Sequence, residues 1–273
     1  MFSTVLLFRE ALYGALVIGI TCAVLSVYVV LRRIVFVGAA LAALSSAGIA
    51  LALFLSGYAF TSAFGAHPTA VSLVVTLLGA VFFGIGGGRR LVSSEATIGV
   101  TYAVAAAAGI LLISKALVGE AHDIFLQGNI LGITRADTLV LLAVSAPVLL
   151  LHALFYKEFL FVSFDRETAR TLGYRVDAWN LLLYFTLGVI IASAMRFAGV
   201  LLVFNFLVLP AVTGLLLAGT MGGTLAWAVI SAVVAVAVGF TLSVPFDLPS
   251  APAIIAVQGA LVLVAWLIRR GRE

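Results

Sequence analysis

Nine apolar runs of about bilayer-crossing length divide this chain, at 11–31, 38–57, 69–88, 97–117, 138–157, 179–195, 198–218, 224–243 and 252–268. A helix crosses the hydrocarbon core with about 20 consecutive apolar residues. Strands of a membrane barrel would be about ten residues long and would alternate in polarity, whereas these runs are apolar throughout. Charge points the same way. Only 10% of the residues are charged, against about 25% in soluble domains, so water cannot be the solvent for most of the surface. The chain is expected to be an all-α polytopic membrane protein.

The seventh run is the ambiguous one. It follows the sixth with almost no loop, Arg196 lies at the junction, and Gly199 and Pro210 interrupt it. Eight or nine transmembrane helices are therefore expected. The element at 196–218 is either a kinked full span or a broken, re-entrant piece. A bilayer tolerates the second only where protein or a water-filled cavity surrounds it. At the other end of the chain, no basic region precedes the first run, and Arg9 and Glu10 interrupt its approach. The stretch 11–31 is expected to be a first anchor rather than a cleaved leader.

Loop charge sets the orientation. If the loop after the first span is cytoplasmic, 11 basic residues lie inside, from Arg32 and Arg33 to Arg272, and 4 lie outside: Arg9, Lys115, Arg135 and Arg196. With nine spans the N-terminus is then outside and the C-terminus cytoplasmic. Small residues recur every fourth position at Gly38, Ala42 and Ser46, and at Ala39, Ala43 and Ala47. Such stripes let helix backbones approach closely in lipid and predict packing rather than chemistry.

Several chemistries are excluded. No Gly-x-x-x-x-Gly-Lys-Ser/Thr loop is present, and Gly84–Gly88 runs into Arg89-Arg90 with no lysine in place. The chain is not expected to be an ATPase. His67, His122 and His152 have no paired spacing, and the lone Cys22 sits in an apolar run as a small hydrophobe. Basic residues are spread over short loops, which does not suit nucleic acid.

One extramembrane segment stands out, at 163–178. Six of the 26 charged residues (15 basic, 11 acidic) fall between Asp165 and Asp177. Asp165 suits a helix N-cap, and Glu167 is favourable in the first turn. Ala169 and Leu172 share a face at i, i+3, Arg170 lies between them, and Gly173 suits the stop. The segment reads as a short helix, either simply solvated or docked in a partner's groove.

Four segments resemble the ABC-type zinc/manganese/iron permease family. They are Val30–Gly38; Ile98-Gly99 with Gly109–Ser114 and Gly128–Leu131; Ser163–Gly173; and Gly199–Val203 with Leu207–Ala211 and Asp247–Ser250. They span nearly the whole chain in family order. The resemblance implies one permease domain over 1–273, in a bacterial or archaeal plasma membrane. It implies two such chains around a central path, separate ATPase subunits below, and an extracytoplasmic protein that delivers a divalent metal. The segment 163–178 would be the family's coupling segment, with Asp165, Glu167, Ala169, Arg170, Leu172 and Gly173 at the ATPase contact. No cofactor would be held by the chain itself; the metal, or a metal-bearing ligand, would be the substrate.

One departure concerns that substrate. Metal-transporting relatives carry an aspartate one residue after the glycine that follows the Arg-Arg pair, and a histidine four residues later. The matching positions here are Ala39 and Ala43, and neither can bind metal. Other polar residues are candidates. His122 and Asp123, before Gln127-Gly128-Asn129, can meet a cation only from a loop, because adjacent residues do not share a helix face. The alternative is a solvated pair. His152, inside a span, is a functional candidate by default or reaches headgroups. Asn205 either lines a path or bonds a neighbouring helix, and Ser45 and Ser46 read chiefly as close-packing residues. Two other functions stay open: an ABC permease for a non-metal small solute, and a non-transporting membrane scaffold or regulatory subunit.

Overall fold

The computed structural model describes residues 8–56, 67–86, 92–115 and 130–271. Its helices are α1 (Arg9–Leu31), α2 (Val37–Ser56), α3 (Pro68–Ile85), α4 (Ser94–Lys115), α5 (Arg135–Leu154), α6 (Tyr156–Phe164), α7 (Arg166–Thr171), α8 (Val176–Phe206), α9 (Leu209–Leu217), α10 (Met221–Ser243) and α11 (Ser250–Arg270). A 3-10 turn, Ile130–Gly132, precedes α5, and no strand occurs among the described residues. Among the described residues, eight helical stretches are long and apolar enough to cross a membrane. The protein is an all-α polytopic membrane protein, as its apolar runs predict.

Local chemistry sets the helix ends. α3 opens on Pro68, whose missing N–H costs nothing at that position, and stops at Gly86 with φ 84°. Thr220 caps α10 by accepting from the Gly223 amide at 3.2 Å. α11 ends in Arg269 and Arg270, which complement the negative end of its dipole.

The sixth and seventh apolar runs form one stretch, Val176–Leu217, with two interruptions. Gly199 has φ 70° and ψ 170°, a region that is essentially glycine-only. A second break at Leu207 and Val208 separates α8 from α9. α9 has 9 residues, under half of the roughly 20 a span needs. The interruption expected at 196–218 is present, at Gly199 and at Leu207-Val208.

The chain divides into two compact units. One gathers α1, the 3-10 turn, α5 up to Leu150, the end of α8 from Leu201, and α9 to α11. In this unit α1 is enclosed: Cys22, Leu25 and Val27 are fully buried, and Val27 meets Ala211 of α9 and Ala228 of α10. α10 and α11 approach so closely that a Cβ on Gly239 would lie 2.6 Å from the Ile254 Cα.

The other unit holds α2 to α4, the end of α5, α6, α7 and α8 up to Val200. Here α2 packs against both α3 and α4. One predicted stripe, that of Ala39, Ala43 and Ala47, makes the α4 contact, while Gly48, outside both predicted stripes, makes the α3 contact. Ala43 and Ala47 cluster with Ala105 of α4, and a Cβ on Gly48 would sit 2.8 Å from the Ser72 Cα of α3.

Candidate functional site

The expected coupling segment, 163–178, starts in the last turn of α6, turns a corner into the short helix α7 and runs on into the start of α8. Asp165 is the corner: at φ −139° and ψ 95° it is extended, closing α6 and opening α7. Its carboxylate accepts from the Thr168 amide at 3.0 Å and from the Thr168 hydroxyl at 2.6 Å. Those bonds, led by the hydroxyl, hold the Asp165 pKa below the ordinary carboxylate value. Glu167 lies in the first turn, where its charge suits the helix dipole.

The stop is equally local. Gly173, at φ 85°, donates its amide to the Arg170 carbonyl at 3.1 Å, and Tyr174 donates to Ala169 at 3.0 Å. This pair of bonds is a Schellman closure. The capped helix predicted from Asp165 and Gly173 is therefore the one observed.

The apolar edge expected from Ala169 and Leu172 is divided. Ala169 is fully buried, in a cluster with Val162 of α6 and Val176 of α8. Leu172, at the helix C-cap, is 66% exposed. The fall of the chain into the Gly173 turn swings it away from the face that Ala169 seats. The exposed apolar surface is instead Leu172 with Phe164 and Tyr174. Arg170 pairs with Asp177 at 3.2 Å, both well exposed, so the pair contributes little to stability.

Two polar features tie this segment to the bundle. Arg166 donates to the Asn180 carbonyl oxygen at 2.8 Å, and the Asn180 amide donates to the Gly84 carbonyl at 2.6 Å. Asn180 is fully buried. It links the start of α7 through α8 to the last turn of α3. The second feature is His152, near the end of α5 and 1% exposed. Its ring stacks on Phe159 of α6 at 4.2 Å, and its Nε2 lies 3.1 Å from the Thr186 hydroxyl of α8. Trp179 packs on Phe155 and Phe159. His152 is thus a packed joint between α5, α6 and α8 rather than a group reaching headgroups. Asn180 was missed by sequence reasoning; an amide within the apolar run at 179–195 was the available signal.

The other candidates are scattered. Ala39 and Ala43 are buried, and the Ala43 methyl is held in the α2–α4 contact. Ser45 and Ser72 hydroxyls lie 2.7 Å apart, and Ser72 also bonds the Ser45 carbonyl at 2.9 Å, so Ser45 is engaged in packing α2 on α3. Ser46 is partly exposed. Asn205 belongs to the other unit. It is 4% exposed, and neither side-chain amide atom has a hydrogen-bond partner among the described residues. His122 and Asp123 lie outside the described residues. Among those described, no three His, Cys, Asp or Glu side chains converge.

These features define a class: a multi-pass helical membrane protein with a capped extramembrane helix keyed into its bundle. The model of the ABC 3 transport family matches residues 5–269, and the chain belongs to that family. Its relatives include the manganese transport system membrane protein MntC of Halalkalibacterium halodurans, 28% identical over 94% of this chain and 86% of the relative. The manganese import system permease protein ScaB of Streptococcus gordonii is 27% identical, over 95% and 90%. Among solved structures, PsaBC from Streptococcus pneumoniae in complex with Fab superposes with a TM-score of 0.80 at 26% identity, over 94% of this chain and 90% of that one.

Proposed function

We propose that this chain is the membrane-spanning permease subunit of an ATP-driven importer of divalent metal ions, manganese first among them. The observation that carries this reading is the full-length likeness to membrane subunits of manganese systems, within a family matched from residue 5 to 269. ATP hydrolysis belongs to separate subunits, and an extracytoplasmic protein delivers the ion. Two copies enclose the path in a plasma membrane, with the N-terminus outside and the C-terminus cytoplasmic.

Segment 163–178 is the ATPase contact. Leu172, Phe164 and Tyr174 offer the apolar surface, and Glu167 and Arg170 flank it. Asp165 and Gly173 hold the helix ends, while Ala169 anchors α7 from behind. A push on α7 reaches the bundle through Arg166, Asn180 and Gly84, and through the His152 joint. Gating needs contacts that differ between two states, and this segment supplies them.

The substrate contacts differ from the family's usual pair. Ala39 and Ala43 offer only methyl groups, so the ion meets other ligands. His122 with Asp123, and Asn205, are the candidate polar groups for that role. The same two alanines favour a second reading, in which the cargo is a metal-bearing ligand or another small solute. Reconstitution with the ATPase and binding protein separates the readings. Uptake of manganese, and loss of it on Leu172→Asp with membrane insertion intact, is expected. No uptake of manganese, zinc or iron by an assembly with intact ATP hydrolysis would refute the metal reading.

A further inference from the structure

Within one unit, α9, α10 and α11 leave a groove of about 300 Å³, which is in the range of small-molecule sites. Its floor is Thr213, Ser231 and Ala265, each no more than 4% exposed, and its open rim includes Trp227, Val264 and Ile268. The floor hydroxyls have no donor to spare for a polar guest. Thr213 donates to the Leu209 carbonyl at 3.0 Å and Ser231 to the Ala228 carbonyl at 2.9 Å. Ser231 also accepts from the Gln258 amide at 3.2 Å. With its donors turned into the helices, the groove suits a hydrocarbon chain.

One end of this groove is cationic. Arg269 follows the rim residue Ile268 and donates to the Leu215 carbonyl at 3.2 Å, between the lining residues Thr213 and Leu217. Arg270 instead lies over the Trp266 ring at 5.3 Å, and neither residue lines the groove. No acidic residue occurs between Asp177 and Asp247, so α9 and α10 bring no negative charge to the walls. The groove therefore joins an apolar trough to the Arg269 guanidinium at one end.

We propose that this groove binds one anionic phospholipid, with an acyl chain along the trough and the phosphate at Arg269. Guanidinium pairs with phosphate in a forked geometry, and basic sites between spans recruit anionic headgroups. A second copy of the chain is the poorer occupant. A two-fold contact through this face would bring like-charged arginine ends together. The assignment is independent of the cargo and of which leaflet faces α11.

The test uses the full-length chain in detergent, stripped of lipid and offered equal phosphatidylglycerol and phosphatidylcholine of one acyl composition. Native mass spectrometry should show phosphatidylglycerol retained in preference. Arg269→Gln should reduce that preference about fivefold, whereas Arg270→Gln should leave it unchanged. Val264→Trp should displace lipid with unchanged thermal melting in detergent, and Ile268→Trp serves the same purpose if that variant does not fold. Equal retention of the two lipids by the wild-type chain overturns the proposal, as does a preference that survives both kinds of variant. Dissociation of a dimer by Val264→Trp without any change in bound lipid assigns the groove to a second copy instead.

Discussion

Asn180 shows how much one buried amide can organise. Its oxygen and nitrogen are both used, on Arg166 and on the Gly84 carbonyl. Asn180→Ala should cost about 1–3 kcal/mol, because it strands a buried acceptor as well as removing bonds. Thermal melting in detergent measures that cost, and weaker substrate stimulation of ATP hydrolysis would mark the lost link to α7. Asp165 acts through charge as well as geometry. Its pKa is lowered in the folded protein, so its contribution is present above the ordinary aspartate pKa and is lost as pH falls through the lowered value. Asp165→Asn keeps a competent cap but cannot titrate. The Thr168 amide should lose hydrogen-exchange protection at acid pH relative to that variant. An equal response in the two proteins would contradict the capping assignment.

At the scale of elements, α7 was legible because its boundaries are local requirements. A carboxylate three residues ahead of Thr168 caps, and a glycine stops, whatever the rest of the chain does. The Asn180 link was not legible, because its two partners lie 96 and 14 residues away. The split between Ala169 and Leu172 was equally hidden. Spacing alone puts them on one face, but the Gly173 turn and the pocket made by Val162 and Val176 separate them. In α8 the sequence marked Gly199 as an interruption, and the backbone there shows why it must be glycine. Gly199→Ala should destabilise the protein by about 1–3 kcal/mol, read as a lower melting temperature. A neutral result would mean that the break tolerates a side chain.

At the scale of the molecule, the broken stretch decides the last turns of the topology. With the N-terminus outside, as proposed, Gly219 is cytoplasmic and Phe246 outside if the 196–218 element crosses; if it returns, both assignments reverse. Gly219→Cys and Phe246→Cys, each exposed in the structure, report this directly with a membrane-impermeant maleimide. The native Cys22 is buried and gives a low background. Labelling of Phe246→Cys alone from outside is expected. Labelling of Gly219→Cys alone would invert the orientation of the C-terminal half.

By itself the sequence determined the solvent, the number of apolar stretches, and the places where they stop or break. Those properties follow from composition, run length, and residues such as Gly199 and Gly173 whose backbone needs are their own. Which faces meet was decided only by the tertiary structure. Lipid and protein interior are both apolar, so periodicity in α1 or α2 cannot distinguish them, and the choice falls to close fits such as Gly239 on Ile254 and Gly48 on Ser72. The roles of buried polar groups were decided there too. Asn180, Ser45 and His152 found partners on other helices, whereas the Asn205 amide has none among the described residues, because pairing depends on distances that no reading along the chain contains.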